Sequence, residues 1–204
     1  MRRISGVLLS LVITVSQAQF KNVKLAEQQE GDYPALETSV AINQKNPANI
    51  VTAMGANRIM YSGDGGIQWS EVIPRSSFGA IGDPTVLSDI KGDLYYVHLS
   101  DPKGEGRTGD AFMDRIVCQK SENGGKTWSE GVSVSNNPAK DHGKPGLTVH
   151  PKKQILYAAW SQFDKFESKD ATCQSNIHFS MSTNGGDKWS KPLQINKSPG
   201  NCLG

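Results

Sequence analysis

The stretch SGDGGIQW, Ser62 to Trp69, joins a polar turn to a large aromatic ring. Asp64 can accept backbone N–H groups across such a turn, as Asx-turns do. The glycine pair permits positive φ where the chain reverses. The ring of Trp69 can then cover the turn while its indole N–H finds an acceptor. The stretch therefore predicts a hairpin turn that a tryptophan fastens to the outgoing strand.

The same pattern occurs three times, at a spacing of about 60 residues. Each copy, called a box here, has Ser, any residue, Asp or Asn, a Gly pair, two residues and Trp. The boxes lack the dense acidic ligands of a calcium loop, so we expect a structural role, no metal and no cofactor. Their defining residues are Ser62, Asp64, Gly66 and Trp69; Ser121, Asn123, Gly125 and Trp128; and Ser182, Asn184, Gly186 and Trp189.

Short alternating runs surround each box and are bounded by Gly, Asn, Asp and Pro. Such runs are typical of antiparallel strands. Around the second box they are PTVLS, DLYYVHLS, DRIVCQKS and TWSEGVSV, and the other two boxes have the same order, with the last strand starting at the Trp. Four-stranded units that repeat at this spacing predict an all-β chain of β-propeller blades.

The boxes match the Asp-box, or BNR, repeat S-x-D-x-G-x-x-W, and the chain resembles the sialidase superfamily of six-bladed propellers from about Tyr33 to Ile195. Two boxes carry Asn where the repeat has Asp. The resemblance implies three blades of six, at about 33–75, 80–135 and 142–196, after a lead-in at 19–32 and before a lead into a further blade at 197–204. We expect the N-terminal half of a longer propeller. The alternative is a half-propeller that pairs with another copy, and open blade edges favour self-association.

The first 18 residues have the pattern of a secretory signal peptide, with Arg2 and Arg3 before a short apolar run and small residues up to Ala18. The alternatives are a buried helix or a membrane anchor. Cleavage after Ala18 predicts a secreted, periplasmic or cell-surface protein with no membrane span. It would also remove the formal net charge of +2. A neutral chain gives no electrostatic argument for binding nucleic acid.

Export permits disulfides, and the chain has three cysteines. Cys173 and Cys202 lie in loop-like segments and are the expected pair. Cys118 lies in the strand-like run RIVCQKS, which predicts a buried thiol. The four histidines are scattered without the spacing of a zinc site.

Candidate site residues lie in the loops opposite the boxes, where sialidase-like proteins bind substrate. Asp83 precedes an inner strand and is the candidate acid/base; its alternative role is to cap the turn before Pro84. The resemblance implies three arginines that clamp a carboxylate. Arg58, Arg107 and Arg115 are the candidates, although the family's FRIP-like motif is absent. The other loop charges, each of which could simply be solvated, are Asp101, Glu105, Asp110, Asp114, Asp141, His142, Lys144, Asp164 and Lys165.

Two functions are compatible with this sequence. The resemblance implies a secreted exo-glycosidase of the exo-α-sialidase type, whose Tyr nucleophile and remaining arginines would come from later blades. We then expect no activity from the 204-residue chain alone. The alternative is a non-catalytic propeller that binds a glycan or a glycoprotein surface. The missing arginine motif favours this second function.

Overall fold

The computed structural model describes residues 22–27, 36–55, 57–109 and 111–203. The predicted signal peptide and most of the predicted lead-in lie outside these ranges. Within them the chain forms one 3₁₀ turn, Gly106–Thr108, and twelve strands. The strands are β1 Ser39–Ile42, β2 Ile50–Met54, β3 Arg58–Ser62, β4 Ser70–Val72, β5 Thr85–Ser88, β6 Leu94–Leu99, β7 Arg115–Ser121, β8 Val132–Asn136, β9 Asp141–Val149, β10 Leu156–Phe163, β11 Ser175–Ser182 and β12 Leu193–Gln194.

The strands form three four-stranded sheets, each a meander of consecutive antiparallel neighbours. The first blade is β1 to β4, the second is β5 to β8 and the third is β9 to β12. The predicted all-β fold of propeller blades is confirmed, with three blades present. None of the described residues forms a helix with the length and hydropathy needed to cross a bilayer.

The core lies between neighbouring blades. β6 is buried along its whole length, because one face of the second blade packs on the first and the other face packs on the third. Val51, Ile59 and Tyr96 form the interface of the first and second blades. Tyr95, Ile116 and Trp160 belong to the interface of the second and third. Burial of these side chains supplies the main stabilisation of the stacked sheets.

All three boxes form the same hydrogen-bonded turn. In the first, Ser62 Oγ donates to Asp64 Oδ1 over 2.8 Å and accepts the Gly66 N–H over 2.9 Å. Asp64 Oδ1 also accepts the N–H of Gln68. The Trp69 indole N–H donates to the Gly66 carbonyl over 2.9 Å. The other two boxes repeat these bonds, with Asn replacing Asp as acceptor.

The predicted position of the outgoing strand is wrong for two of the boxes. In the first blade the strand begins at Ser70, directly after Trp69. In the second and third blades it begins only at Val132 and at Leu193. Isolated backbone hydrogen bonds connect the segments between box and strand to β7 and β11. In one of them, the Ser129 N–H donates to the Lys120 carbonyl. The tryptophan therefore fastens the turn itself, and regular pairing resumes later.

The box glycines have a second role, in packing against the preceding blade. A Cβ added at Gly125 would meet Val51 Cγ2 at 2.9 Å and Tyr61 Cβ at 3.2 Å, both in the first blade. A Cβ at Gly186 would meet the Tyr95 ring of the second blade at 3.2 Å. Since these contacts leave no space for a side chain, the glycines set the distance between blades.

A disulfide joins Cys173 to Cys202, with their Cα atoms 5.7 Å apart. It packs with Phe163 and Phe166 beside the β10–β11 loop. Cys118 is free and buried in β7, and burial raises the pKa of its thiol.

Candidate functional site

A cavity of about 430 Å³ opens at the end of the blades opposite the boxes. Its wall is formed by the segments at the start of the innermost strand of each blade and by the loops that join the second strand of each blade to the third. We call it the inner-strand cavity. It is lined by the apolar residues Leu36, Ile81, Leu99, Phe112, Met113 and Phe166, by the charged residues Glu37, Asp83, Arg107, Lys144 and Glu167, and by Gly55, Gly82 and Gly143.

Three of the charged residues occupy equivalent places in successive blades. Glu37 stands two residues before β1, and Asp83 stands two residues before β5. Lys144 stands two residues before Gly146, where β9 resumes regular pairing with β10 after an irregularity. Because the blades stack side by side, equivalent positions converge at one end of the molecule. The repeat therefore brings two carboxylates and one ammonium group together.

Hydrogen bonds connect these three residues from blade to blade. The N–H of Asp83 donates to Glu37 Oε2 over 2.9 Å, and the N–H of Lys144 donates to Asp83 Oδ2 over 2.5 Å. The Lys144 ammonium group donates to Glu37 Oε1 over 3.1 Å and to Asp83 Oδ1 over 3.0 Å. The Asp83 side chain is only 10% exposed, whereas the Lys144 side chain is 64% exposed. Asp83 is therefore the least exposed side chain of the cluster.

The pKa values of the two carboxyl groups of this cluster are shifted in opposite directions. The N–H of Asp83, with the Lys144 ammonium group, holds the pKa of Glu37 below its usual value. Burial raises the pKa of Asp83 despite the opposing hydrogen bonds from Lys144. The hydrogen bond to Asp83 raises the pKa of Lys144, so this group stays protonated. Two carboxyl groups with diverging pKa values are an arrangement used for acid/base chemistry.

Positive φ is concentrated around this cavity. Within the described ranges, the non-glycine residues with positive φ are Glu37 (56°), Asp83 (49°), Met113 (57°), Lys144 (54°) and Glu167 (60°). Every one of them lines the inner-strand cavity. This conformation is uncommon for residues with a Cβ, and such backbone strain clusters at functional sites.

An ion pair borders the cavity on the side of the second and third blades. The Arg107 guanidinium contacts the Glu167 carboxylate and lies 5.6 Å from the centre of the Phe166 ring. The Glu167 N–H donates to the Cys202 carbonyl over 2.8 Å. The disulfide segment therefore positions the residue that holds Arg107.

The structure does not bring the three candidate arginines together. Arg107 lines the cavity. Arg58, at the start of β3, instead donates from Nε to Oε1 of Glu71, on the outer strand β4 of the same blade, over 2.7 Å. Arg115 is paired with Asp114 at 2.7 Å, and its guanidinium lies 5.2 Å from the centre of the Phe78 ring. Neither Arg58 nor Arg115 lines the cavity.

Most other candidate loop charges hold the loops in place. Asp141 pairs with Lys165 at 3.2 Å, and Asp164 pairs with Lys140 at 2.5 Å. His142 is buried, and its two ring nitrogens contact Ser135 Oγ and the Met113 carbonyl. Asp101 Oδ2 accepts the Gly106 N–H, and Glu105 lies 3.9 Å from Lys103. Asp110 lies outside the described residues.

Sequence reasoning missed Glu37 and Glu167. An alignment of the inner-strand starts, ETSVAI, DPTVLS and KPGLTV, places Glu37 with Asp83 and Lys144 and could have found it. No comparable signal identifies Glu167, because its partner Arg107 is 60 residues away in the chain. In the part of the chain that is described, no cluster of His, Cys, Asp or Glu could hold a metal ion.

No protein-family model and no curated protein sequence matches this chain. Solved structures do match. An α-L-arabinofuranosidase mutant from Fusarium graminearum, bound to an iminosugar inhibitor, has a TM-score of 0.55 and 17% identity over 80% of this chain and 50% of its own. The α-L-arabinofuranosidase of Lactobacillus brevis has a TM-score of 0.51 and 13% identity, over 80% and 54%.

A third similar structure is an ulvan lyase, a polysaccharide lyase with a TM-score of 0.51 and 13% identity over 82% of this chain and 43% of its own. At such identities the likeness shows the fold alone. That fold is a β-propeller shared with glycan-active enzymes. The chain spans about half the length of these solved structures.

Proposed function

We propose that the inner-strand cavity binds a sugar residue and that the chain belongs to a secreted, glycan-active β-propeller. The observation that carries this proposal is the convergence of Glu37, Asp83 and Lys144 from three blades on one cavity with a largely apolar wall. Sugars match such a cavity, because their C–H faces pack on apolar side chains and their hydroxyls bond to a few fixed polar groups.

In this proposal Asp83 is the acid/base residue of an exo-glycosidase. Burial raises the pKa of Asp83 above its usual value, which is the direction that a general acid needs, while Glu37 stays ionised. Lys144 holds Asp83 from two directions and fixes its orientation. We also propose that the boxes are Asp-box repeats of the sialidase type. The same hydrogen bonds in all three turns support this assignment.

Secretion is part of the same proposal. Disulfides form and persist in oxidising compartments, so the bond between Cys173 and Cys202 supports export. The partner expected outside the cell is a glycan or a glycoprotein surface.

A second function, glycan binding without catalysis, is favoured by one feature of the same cavity. The Asp83 carboxylate already accepts two hydrogen bonds from Lys144. A general acid must instead present its proton to the glycosidic oxygen, within hydrogen-bond reach. The described lining also includes no tyrosine that could act as a sialidase nucleophile.

Ligand-observed NMR measures the binding of a panel of methyl glycosides to the 204-residue chain and to two variants. Leu36→Trp places a large ring at the cavity, and Leu193→Trp is its control because the two leucines are 63% and 62% exposed. We expect Leu36→Trp to weaken sugar binding at least tenfold and Leu193→Trp to leave it unchanged. If no glycoside binds, or if both variants bind as the parent does, the proposed site is wrong.

Catalysis is tested separately with chromogenic aryl glycosides. Hydrolysis that is lost in Asp83→Asn, with glycoside binding retained, supports the exo-glycosidase. Binding without hydrolysis by any panel member supports the non-catalytic function.

A further inference from the structure

The charges of the inner-strand cavity are already matched within its wall. Among the described residues, the wall has two cations, Arg107 and Lys144, and three carboxylates, Glu37, Asp83 and Glu167. Lys144 Nζ lies 3.1 Å from Glu37 Oε1 and 3.0 Å from Asp83 Oδ1. Arg107 is paired with Glu167. Each of these cations therefore has a carboxylate partner, and the described part of the wall has one more carboxylate than cations.

An acidic sugar would meet a specific obstacle here. Its carboxylate must either take Lys144 or Arg107 from its present partner or lie beside carboxylates without a cation of its own. Taking Lys144 would leave Asp83, whose side chain is 10% exposed, without its cation. Taking Arg107 would leave the Glu167 carboxylate unpaired beside the carboxylate of the ligand. The second route places the carboxylate of the ligand beside Glu37 and Glu167, and like charges repel one another most strongly at low ionic strength.

A sugar without a carboxylate meets no such obstacle. Exposed carboxylate oxygens of Glu37 and Glu167 can accept sugar O–H or ammonium N–H groups while keeping their cations. Phe112 and Phe166 supply aromatic surface to the C–H face of a ring. An amino sugar also matches the excess negative charge.

We propose that the cavity selects neutral or amino sugars and discriminates against sugars that carry a carboxylate. This inference rests on the proposed function, since it assigns a ligand class to the same cavity. Such a selectivity would distinguish this cavity from a site that binds the carboxylate of sialic acid through an available cation.

The test uses three ligands that share one ring and differ in charge: the methyl glycosides of glucose, glucosamine and glucuronic acid. The galactose series is measured in parallel, in case the cavity prefers that stereochemistry. Dissociation constants come from NMR titration of the 204-residue chain at low ionic strength. We expect the neutral and amino members to bind at least tenfold more tightly than the uronic acid of the same series. A uronic acid that binds as tightly as the neutral sugar, or more tightly, overturns the selectivity.

A charge variant tests the stated cause. Glu167→Gln removes the anionic partner of Arg107, so the preference for neutral sugar over uronic acid should fall by about fivefold or more. Glu71→Gln is the matched control, because it weakens the Arg58 ion pair at a place outside the cavity. It should leave the preference unchanged. Thermal unfolding confirms that both variants fold, and an unchanged preference in folded Glu167→Gln contradicts the inference.

The two proposals fail in distinguishable ways. If no member of either series binds, the sugar-binding function is wrong and the selectivity falls with it. If sugars bind with a preference for the uronic acid, the function stands and only the selectivity is wrong.

Discussion

The carboxylate of Asp83 accepts both the backbone N–H and the ammonium group of Lys144, so one side chain connects the second blade to the third. The same relation links the first blade to the second, where Glu37 accepts the N–H of Asp83. These bonds lie at equivalent positions of the repeat. The residues that form the candidate site therefore also hold the blades together.

Loss of the Asp83 carboxylate should destabilise the fold. Asp83→Ala leaves the Lys144 N–H without its acceptor, and we expect it to lower the free energy of unfolding by about 2–3 kcal/mol. Asp83→Asn keeps an acceptor oxygen and should cost about 1 kcal/mol. Urea denaturation measures both. Asp170→Ala is the control, since this exposed carboxylate bonds Thr172 within its own loop. Equal effects of Asp83→Ala and Asp170→Ala would contradict the role of Asp83.

The box tryptophans should differ in their contribution to stability. Trp128 packs against the first interblade cluster and lies edge-on to Tyr96, with ring centres 5.9 Å apart. Because Trp128 is half-buried, Trp128→Ala should cost about 2 kcal/mol, less than the 3–5 kcal/mol of a fully buried aromatic. Trp69 packs over its own turn, so Trp69→Ala should lower the free energy of unfolding by about 1 kcal/mol. Thermal or urea unfolding gives the order, and a larger loss for Trp69→Ala would refute it.

Much of this fold could be predicted from the sequence, because its signals are local. The Ser62 and Trp69 bonds lie within one eight-residue turn, and each strand alternates over a few residues. The site was less predictable, since it depends on contacts between blades. Glu37 gains its role only when stacking places it beside Asp83, 46 residues later. The positive φ of Asp83 and Glu167 likewise results from tertiary contacts and leaves no signal in residue type.

The disulfide should support both stability and binding. It closes a loop with a sequence separation of 29, for which the chain-entropy model gives about 3–4 kcal/mol. Replacement of Cys173 and Cys202 by Ala should also loosen Glu167, whose N–H bonds the Cys202 carbonyl. We expect weaker sugar binding in the folded double variant. Cys118→Ala, which changes a buried thiol that does not line the cavity, should leave binding unchanged.

Acid should destabilise the fold through two buried histidines. Burial lowers the pKa of His98 and of His142 to about 4. The unfolded state takes up these protons near pH 6.5, whereas the folded state resists until about pH 4. Stability is therefore full above pH 6.5 and is lost as the pH falls toward 4, by up to about 3 kcal/mol per histidine. Urea denaturation across this range tests the slope. His98→Asn should flatten it, and an unchanged slope in this variant would contradict the prediction.

The 204-residue chain should release no sialic acid from a fluorogenic sialoside. Arg58 and Arg115 are paired with carboxylates outside the cavity, and Arg107 is paired with Glu167. No arginine clamp for the substrate carboxylate is therefore assembled from the described residues. Measurable release by purified protein, abolished in Asp83→Ala, would overturn this expectation.

Amide NMR of the ¹⁵N-labelled chain shows where on the molecule a sugar binds. Titration with the neutral methyl glycosides should shift the amide signals of Gly82, Asp83, Gly143 and Lys144, while those of the box residues Gly65, Gly124 and Gly185 stay in place. Shifts confined to the box end of the blades, or no shifts with any glycoside, would contradict the account.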